Sequence, residues 1–139
     1  MKRYIVEKDF EYKGFRCIVT FGYLGTRYGY VGVSKDNECY ECDYINLDVD
    51  CHGGLTYSGG GTGSEYPVKS DLWWFGFDCN HCYDGRDIKL AIKEFPKYSD
   101  ALLTMAAFKA GLPVRSTEYV SQSCRGIVDR LLKEGYPNE

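Results

Sequence analysis

Both histidines of the chain, both tryptophans and a close set of carboxylates and thiols fall between His52 and Asp84. One box reads His52-Gly53-Gly54-Leu55-Thr56-Tyr57-Ser58. The other reads Trp73-Trp74-Phe75-Gly76-Phe77-Asp78-Cys79-Asn80-His81-Cys82-Tyr83-Asp84. A core does not require imidazole, carboxylate and thiol beside large aromatic rings. That mixture suits gripping a flat polar ligand, or holding a metal.

Ligand binding accounts for the most features. Gly53 and Gly54 let backbone approach a ligand closely and leave amides for an anion. Trp73, Trp74 and Phe77 would stack a base, at roughly 1–3 kcal/mol per contact. Strand alternation sends the two tryptophans to opposite faces. His52, Thr56, Asp78 and His81 would hydrogen-bond the ligand, and Arg27 or Arg86 offers a fork for phosphate. Neither a Gly-x-x-x-x-Gly-Lys loop nor a dinucleotide fingerprint is present, so P-loop and Rossmann chemistry are unsupported.

Metal chemistry is the alternative. His52, Asp78, His81 and Asp84 would give nitrogen and carboxylate ligands with an open position, as hydrolysis needs. Cys39-x-x-Cys42 and Cys79-x-x-Cys82 could hold a structural zinc. Those pairs stand far apart and lack the glycine-rich knuckle, which leaves unrelated thiols as the plainer reading. Cys79 or Cys82 beside His81, with Asp78 or Asp84 orienting the ring, is a third option as a nucleophile. Neighbours on a strand face opposite ways, so proximity in sequence does not make a dyad.

Composition narrows the partners. Net charge is −3, from 17 basic and 20 acidic residues. Asp36, Glu38, Glu41, Asp43, Asp48 and Asp50 face only Lys35 in the stretch Ser34 to Asp50. A nucleic acid polymer needs a basic footprint, and this chain lacks one. The acidic stretch offers instead a protein-binding inhibitor's surface. Thirteen tyrosines suit binding surfaces as well as sheet faces. The N-terminus has no apolar leader and no run reaches membrane-spanning length. Seven cysteines, an odd number, point to reduced thiols in a cytosol.

The elements that must position these residues form one domain over residues 1–139. Phe10 to Tyr12 and Phe15 to Phe21 flank Lys13-Gly14 as a hairpin. Tyr28 to Val33 is a further strand; Leu47 to Asp50 and Leu55 to Tyr57 are shorter ones. Gly59 to Gly63 should be a mobile loop. Trp73 to Phe77 reads as a central strand that delivers Asp78 to its end. Helices are expected at Asp87 to Glu94, at Ser99 to Lys109, and after the cap Ser116. Leu102, Leu103, Ala106 and Ala107 share a face of the second. Tyr119, Val120, Cys124, Ile127, Val128, Leu131 and Leu132 stripe the third. The fold class is α+β: a mainly antiparallel sheet over residues ~3–78, with C-terminal helices packed on one face.

The chain resembles a family of small, uncharacterised bacteriophage proteins. The resemblance rests on Arg16-Cys17, Gly29-Tyr30-Val31-Gly32-Val33, the two central boxes, and a closing helix from Thr117 to Leu132. It spans nearly the whole chain except Asp84 to Pro113. The family has a small residue at Cys82 and no pair matching Cys39 and Cys42. The resemblance implies a phage accessory protein in the host cytoplasm, with His52, Asp78 and His81 as the site. By class analogy it further suggests an anti-defence sponge that sequesters a nucleotide-derived immune signal without catalysis. Separately, a sheet-built site of this sort commonly lies at a subunit boundary and Tyr and Trp are enriched, so a homo-oligomer is expected, and no cofactor is expected.

Overall fold

The computed structural model describes residues 3–106 and 111–138. β1 (Tyr4–Tyr12) and β2 (Phe15–Gly22) are joined by Lys13-Gly14. Both turn residues have positive φ, 48° and 85°, the two-residue geometry whose twist matches the strands it joins. β3 (Arg27–Val33) pairs with β2, β5 (Trp73–Asp78) with β3, and β4 (Tyr57–Gly60) with β5. All pairs are antiparallel and the order is β1-β2-β3-β5-β4. The expected α+β architecture is the one observed.

Alternation along the strands sorts the two faces. Phe15, Cys17, Val19, Val31, Val33, Phe75 and Phe77 are buried on one of them, beneath α3 (Thr117–Lys133). α3 answers with Val120, Cys124, Ile127, Val128 and Leu131, spaced to share a single helix face. Burying each of the larger side chains contributes about 1.5–3 kcal/mol. Tyr119, expected in the same stripe, is 39% exposed and turns elsewhere.

α1 (Ile88–Glu94) begins where the Asp87 carboxylate accepts the Leu90 N–H. A 3₁₀ turn over Pro96–Tyr98 leads into α2 (Ser99–Ala106). These helices close over Phe21 with Ala91, Phe95 and Leu102. Leu103, expected beside Leu102 in the core, is 60% exposed, because α2 offers the Phe21 cluster only one edge. Ala107 and the remainder of the helix expected to reach Lys109 lie outside the described residues.

The opposite sheet face buries Ile18, Tyr30 and Trp74 under tyrosines, Val68 and Leu72. Gly76 stands opposite Tyr30 in the register. A Cβ there would lie 2.8 Å from the Tyr30 ring, so the glycine is what admits that ring.

Three expected elements differ. The strand expected at Leu55 to Tyr57 begins only at Tyr57, where β4 starts. Leu47 to Asp50 is not a strand. Its backbone is held by α3 instead, where Arg130 donates to the Asp48 carbonyl and carboxylate at 3.0 Å each. Gly59 and Gly60, expected in a mobile loop, belong to β4, since ladder bonds to Trp73 and Trp74 offset the poor strand propensity of glycine. Among the described residues no helix is long and apolar enough to cross a membrane.

Candidate functional site

Three stretches remote in sequence meet beside the first turn of α3. The turn after β5 closes on itself: the Asp84 N–H donates to the His81 carbonyl at 3.0 Å, and the His81 N–H donates to the Asp84 carboxylate at 3.1 Å. Gly85 N–H then bonds the Pro113 carbonyl at 2.8 Å, which clamps this turn to the segment entering α3. Ser116 caps the helix by accepting the Tyr119 N–H, and so Arg115 and Tyr119 flank the cap.

Asp84 is fully buried at the centre. Oδ1 accepts from Arg115 Nε at 2.9 Å, and Oδ2 accepts from His81 Nδ1 at 3.0 Å. His52 Nε2 sits 3.0 and 2.9 Å from the two oxygens. A carboxylate only accepts, so the ring nitrogens facing it carry protons. A neutral His52 then accepts at Nδ1 from the Tyr119 hydroxyl, 2.7 Å away. Burial alone would raise the Asp84 carboxyl; the donors from His52, Arg115 and His81 outweigh it and hold the group well below the usual carboxylate range.

Rings frame the cluster. The His52 and His81 ring centroids are 5.4 Å apart, edge to face. Tyr83 stacks on His81 at 5.1 Å, and the Arg115 guanidinium lies 5.0 Å over Tyr119. Gly53, at φ +69°, lies so close to His81 that a Cβ would sit 2.3 Å from the imidazole. Its bare backbone therefore makes room for the second histidine, in place of the ligand anticipated from sequence.

The remaining expected residues divide. Asp78 ends β5 and faces His81 across 3.8 Å, but it stands apart from the group formed by His52, His81 and Asp84. Its Oδ2 accepts from the Thr56 hydroxyl at 3.2 Å. Gly54 has open space where a side chain would go. Trp74 and Phe77 are 0% and 1% exposed, which leaves neither a surface for stacking a base. Trp73 is half-buried and donates to the Cys42 carbonyl. Arg27 is locked by Glu7, at 2.6 Å from Nε, and by the Arg115 carbonyl. The Arg27 fork is therefore fully engaged and is not waiting for phosphate. Arg86 binds the Leu24 carbonyl.

Two of the thiol readings, Cys79 as a nucleophile and a zinc held by the paired Cys-x-x-Cys thiols, fall as well. Cys79 is buried, and burial with the nearby Asp84 and Asp78 charges pushes its thiol up to about 12, far from a nucleophile's range. Among the described residues, His52, His81 and Asp84 are the group spaced to hold a metal; the four Cys-x-x-Cys thiols do not form one.

Comparison with known proteins gives no further lead. No family model, curated protein or solved structure matches the chain. The site therefore stands on its own geometry.

Sequence reasoning missed Arg115 and assigned Tyr119 to the core. Arg115 adjoins a helix cap, yet nothing local to it announces a buried aspartate 31 positions earlier.

Proposed function

We propose that His52, His81 and Asp84 hold a divalent transition-metal ion, most simply zinc, and that the protein acts through the positions this set leaves open. The observation that carries the reading is convergence: one ring nitrogen from each histidine and one carboxylate oxygen all lie within 4.8 Å of one another. Two imidazoles and a carboxylate are a hydrolytic zinc ligand set. The mixed nitrogen and oxygen donors also suit manganese, iron or nickel.

The surroundings fit that role. In the loaded site each imidazole keeps its proton on the nitrogen turned away from the ion. For His52 that nitrogen is Nδ1, so the Tyr119 hydroxyl changes from donor to acceptor. Tyr119 thereby fixes the ring from behind, the arrangement that tunes bound histidines generally. Arg115 balances the buried carboxylate. An ion held there would supply the chemistry that lowers the pKa of a water toward neutral, as hydrolysis needs. A phosphate-bearing ligand fills the open positions, which keeps nucleotide capture within this chemistry without calling on the tryptophans.

The test is calorimetric titration of chelator-stripped protein with Zn²⁺ and Mn²⁺, checked by elemental analysis. One ion per chain is expected. His81→Ala should abolish binding, and Tyr119→Phe should weaken it about 10- to 100-fold with an unchanged thermal midpoint. Absence of stoichiometric binding in the wild type, or unchanged affinity in His81→Ala, would overturn the reading.

A further inference from the structure

On the sheet face turned away from α3, the chain builds a small concavity. A cleft of about 150 Å³ is lined by Tyr28, Tyr30, Tyr57 and Tyr66, with Thr56 and Asp78 among its remaining walls. Three of the rings stand nearly perpendicular to one another. Tyr30 meets Tyr57 at 5.8 Å and 86°, and Tyr66 at 5.6 Å and 88°; Tyr57 meets Tyr66 at 5.7 Å and 72°. Hydrogen bonds hold the walls: the Tyr30 and Tyr66 hydroxyls pair, and the neighbouring Tyr4 hydroxyl donates to the Pro67 carbonyl.

Shape and charge decide what fits. A flat base needs parallel faces, whereas mutually perpendicular rings enclose a rounded group. The volume falls below the roughly 300–1,000 Å³ of pockets for drug-sized ligands, which restricts the occupant to a headgroup. Asp78 is the only charged residue in the lining. Its two oxygens are oriented by the Thr56 hydroxyl and the Asn80 N–H. Burial raises all four tyrosines above their ordinary value, so the phenols stay neutral. Aromatic faces attract cations through the ring quadrupole, and a carboxylate beside them completes the attraction.

We propose that this tyrosine box with Asp78 binds a small organic cation, of the alkylated ammonium class. The metal site and the box adjoin through Asp78 and His81, 3.8 Å apart, but the proposal needs no metal.

The test is NMR titration of the full chain in excess chelator, so that failure of the metal reading cannot affect it. The probes are tetramethylammonium, choline, and the neutral carbon isostere of choline, 3,3-dimethylbutan-1-ol. Saturable shifts with both cations, and none with the isostere, are expected. Tyr66 is 40% exposed, and Tyr66→Leu, which removes the ring, should raise Kd at least about tenfold, while Tyr66→Phe, which keeps the ring and loses only the hydroxyl pairing with Tyr30, should raise it by clearly less. Asp78→Asn should also weaken binding. Equal binding of the isostere, loss in Tyr66→Phe matching that in Tyr66→Leu, or no saturable response to either cation would overturn the proposal.

Discussion

Asp84 carries a negative charge with no exposed surface, and such a group is tolerable only because donors surround it. Removing it leaves Arg115 facing an empty hollow and frees both imidazoles, so Asp84→Ala should cost about 3–5 kcal/mol in urea unfolding. The pH dependence has a definite sign. The folded carboxyl lies below its unfolded value of about 3.9, so its contribution is complete above that pH and drains away as pH falls through the lower folded value. Asp84→Asn should therefore be less stable than wild type at pH 7, with the gap closing under acid. A gap that stays constant from pH 7 to pH 2.5 would show that Asp84 is not held as described. His52, His81 and Asp84 were recognisable as reactive types from sequence alone. Their meeting was not, because it depends on α3 docking over the sheet, and Trp74 and Phe77 look the same on paper whether buried or exposed.

At the scale of elements, the start of α3 is the piece that joins fold to site. Ser116 secures the first turn through the Tyr119 N–H, and Tyr119 in turn grips His52. Ser116→Ala should cost about 1 kcal/mol in chemical unfolding, and should weaken metal binding as well by loosening Tyr119. A stability loss with metal affinity unchanged would separate the cap from the site. The periodic elements were the legible ones. The hairpin at Lys13-Gly14, the aromatic strand and the α3 stripe each bury one regular face, and that regularity is written in residue spacing. β4 was misread because Gly59 and Gly60 have no side-chain pattern; the exposed edge of β5 decides their conformation. Leu47 to Asp50 has the pattern of a strand, yet its Asp48 is held by Arg130 of α3 instead of by a ladder.

Across the whole molecule, reactivity and charge are distributed unevenly. Cys17, Cys39, Cys79 and Cys124 are buried, whereas Cys82 is exposed. Burial pushes Cys17, Cys51 and Cys79 up to about 12 and Cys39 to about 11. Native protein treated with a thiol reagent at pH 7.5 should thus label first at Cys82, and the full seven should react only after denaturation. Mass spectrometry after brief labelling checks this, and early modification of Cys79 would contradict the packing. The six carboxylates between Asp36 and Asp50 are all exposed. The contact between Gly53 and His81 reaches furthest beyond this one chain. Any side chain at position 53 would evict the imidazole, so histidines at 52 and 81 are useful together only when a glycine follows the first. Kinship is therefore best sought with a spaced fingerprint, His-Gly, then His-x-x-Asp, then Arg-x-x-x-Tyr at the head of a helix, which tolerates drift everywhere else.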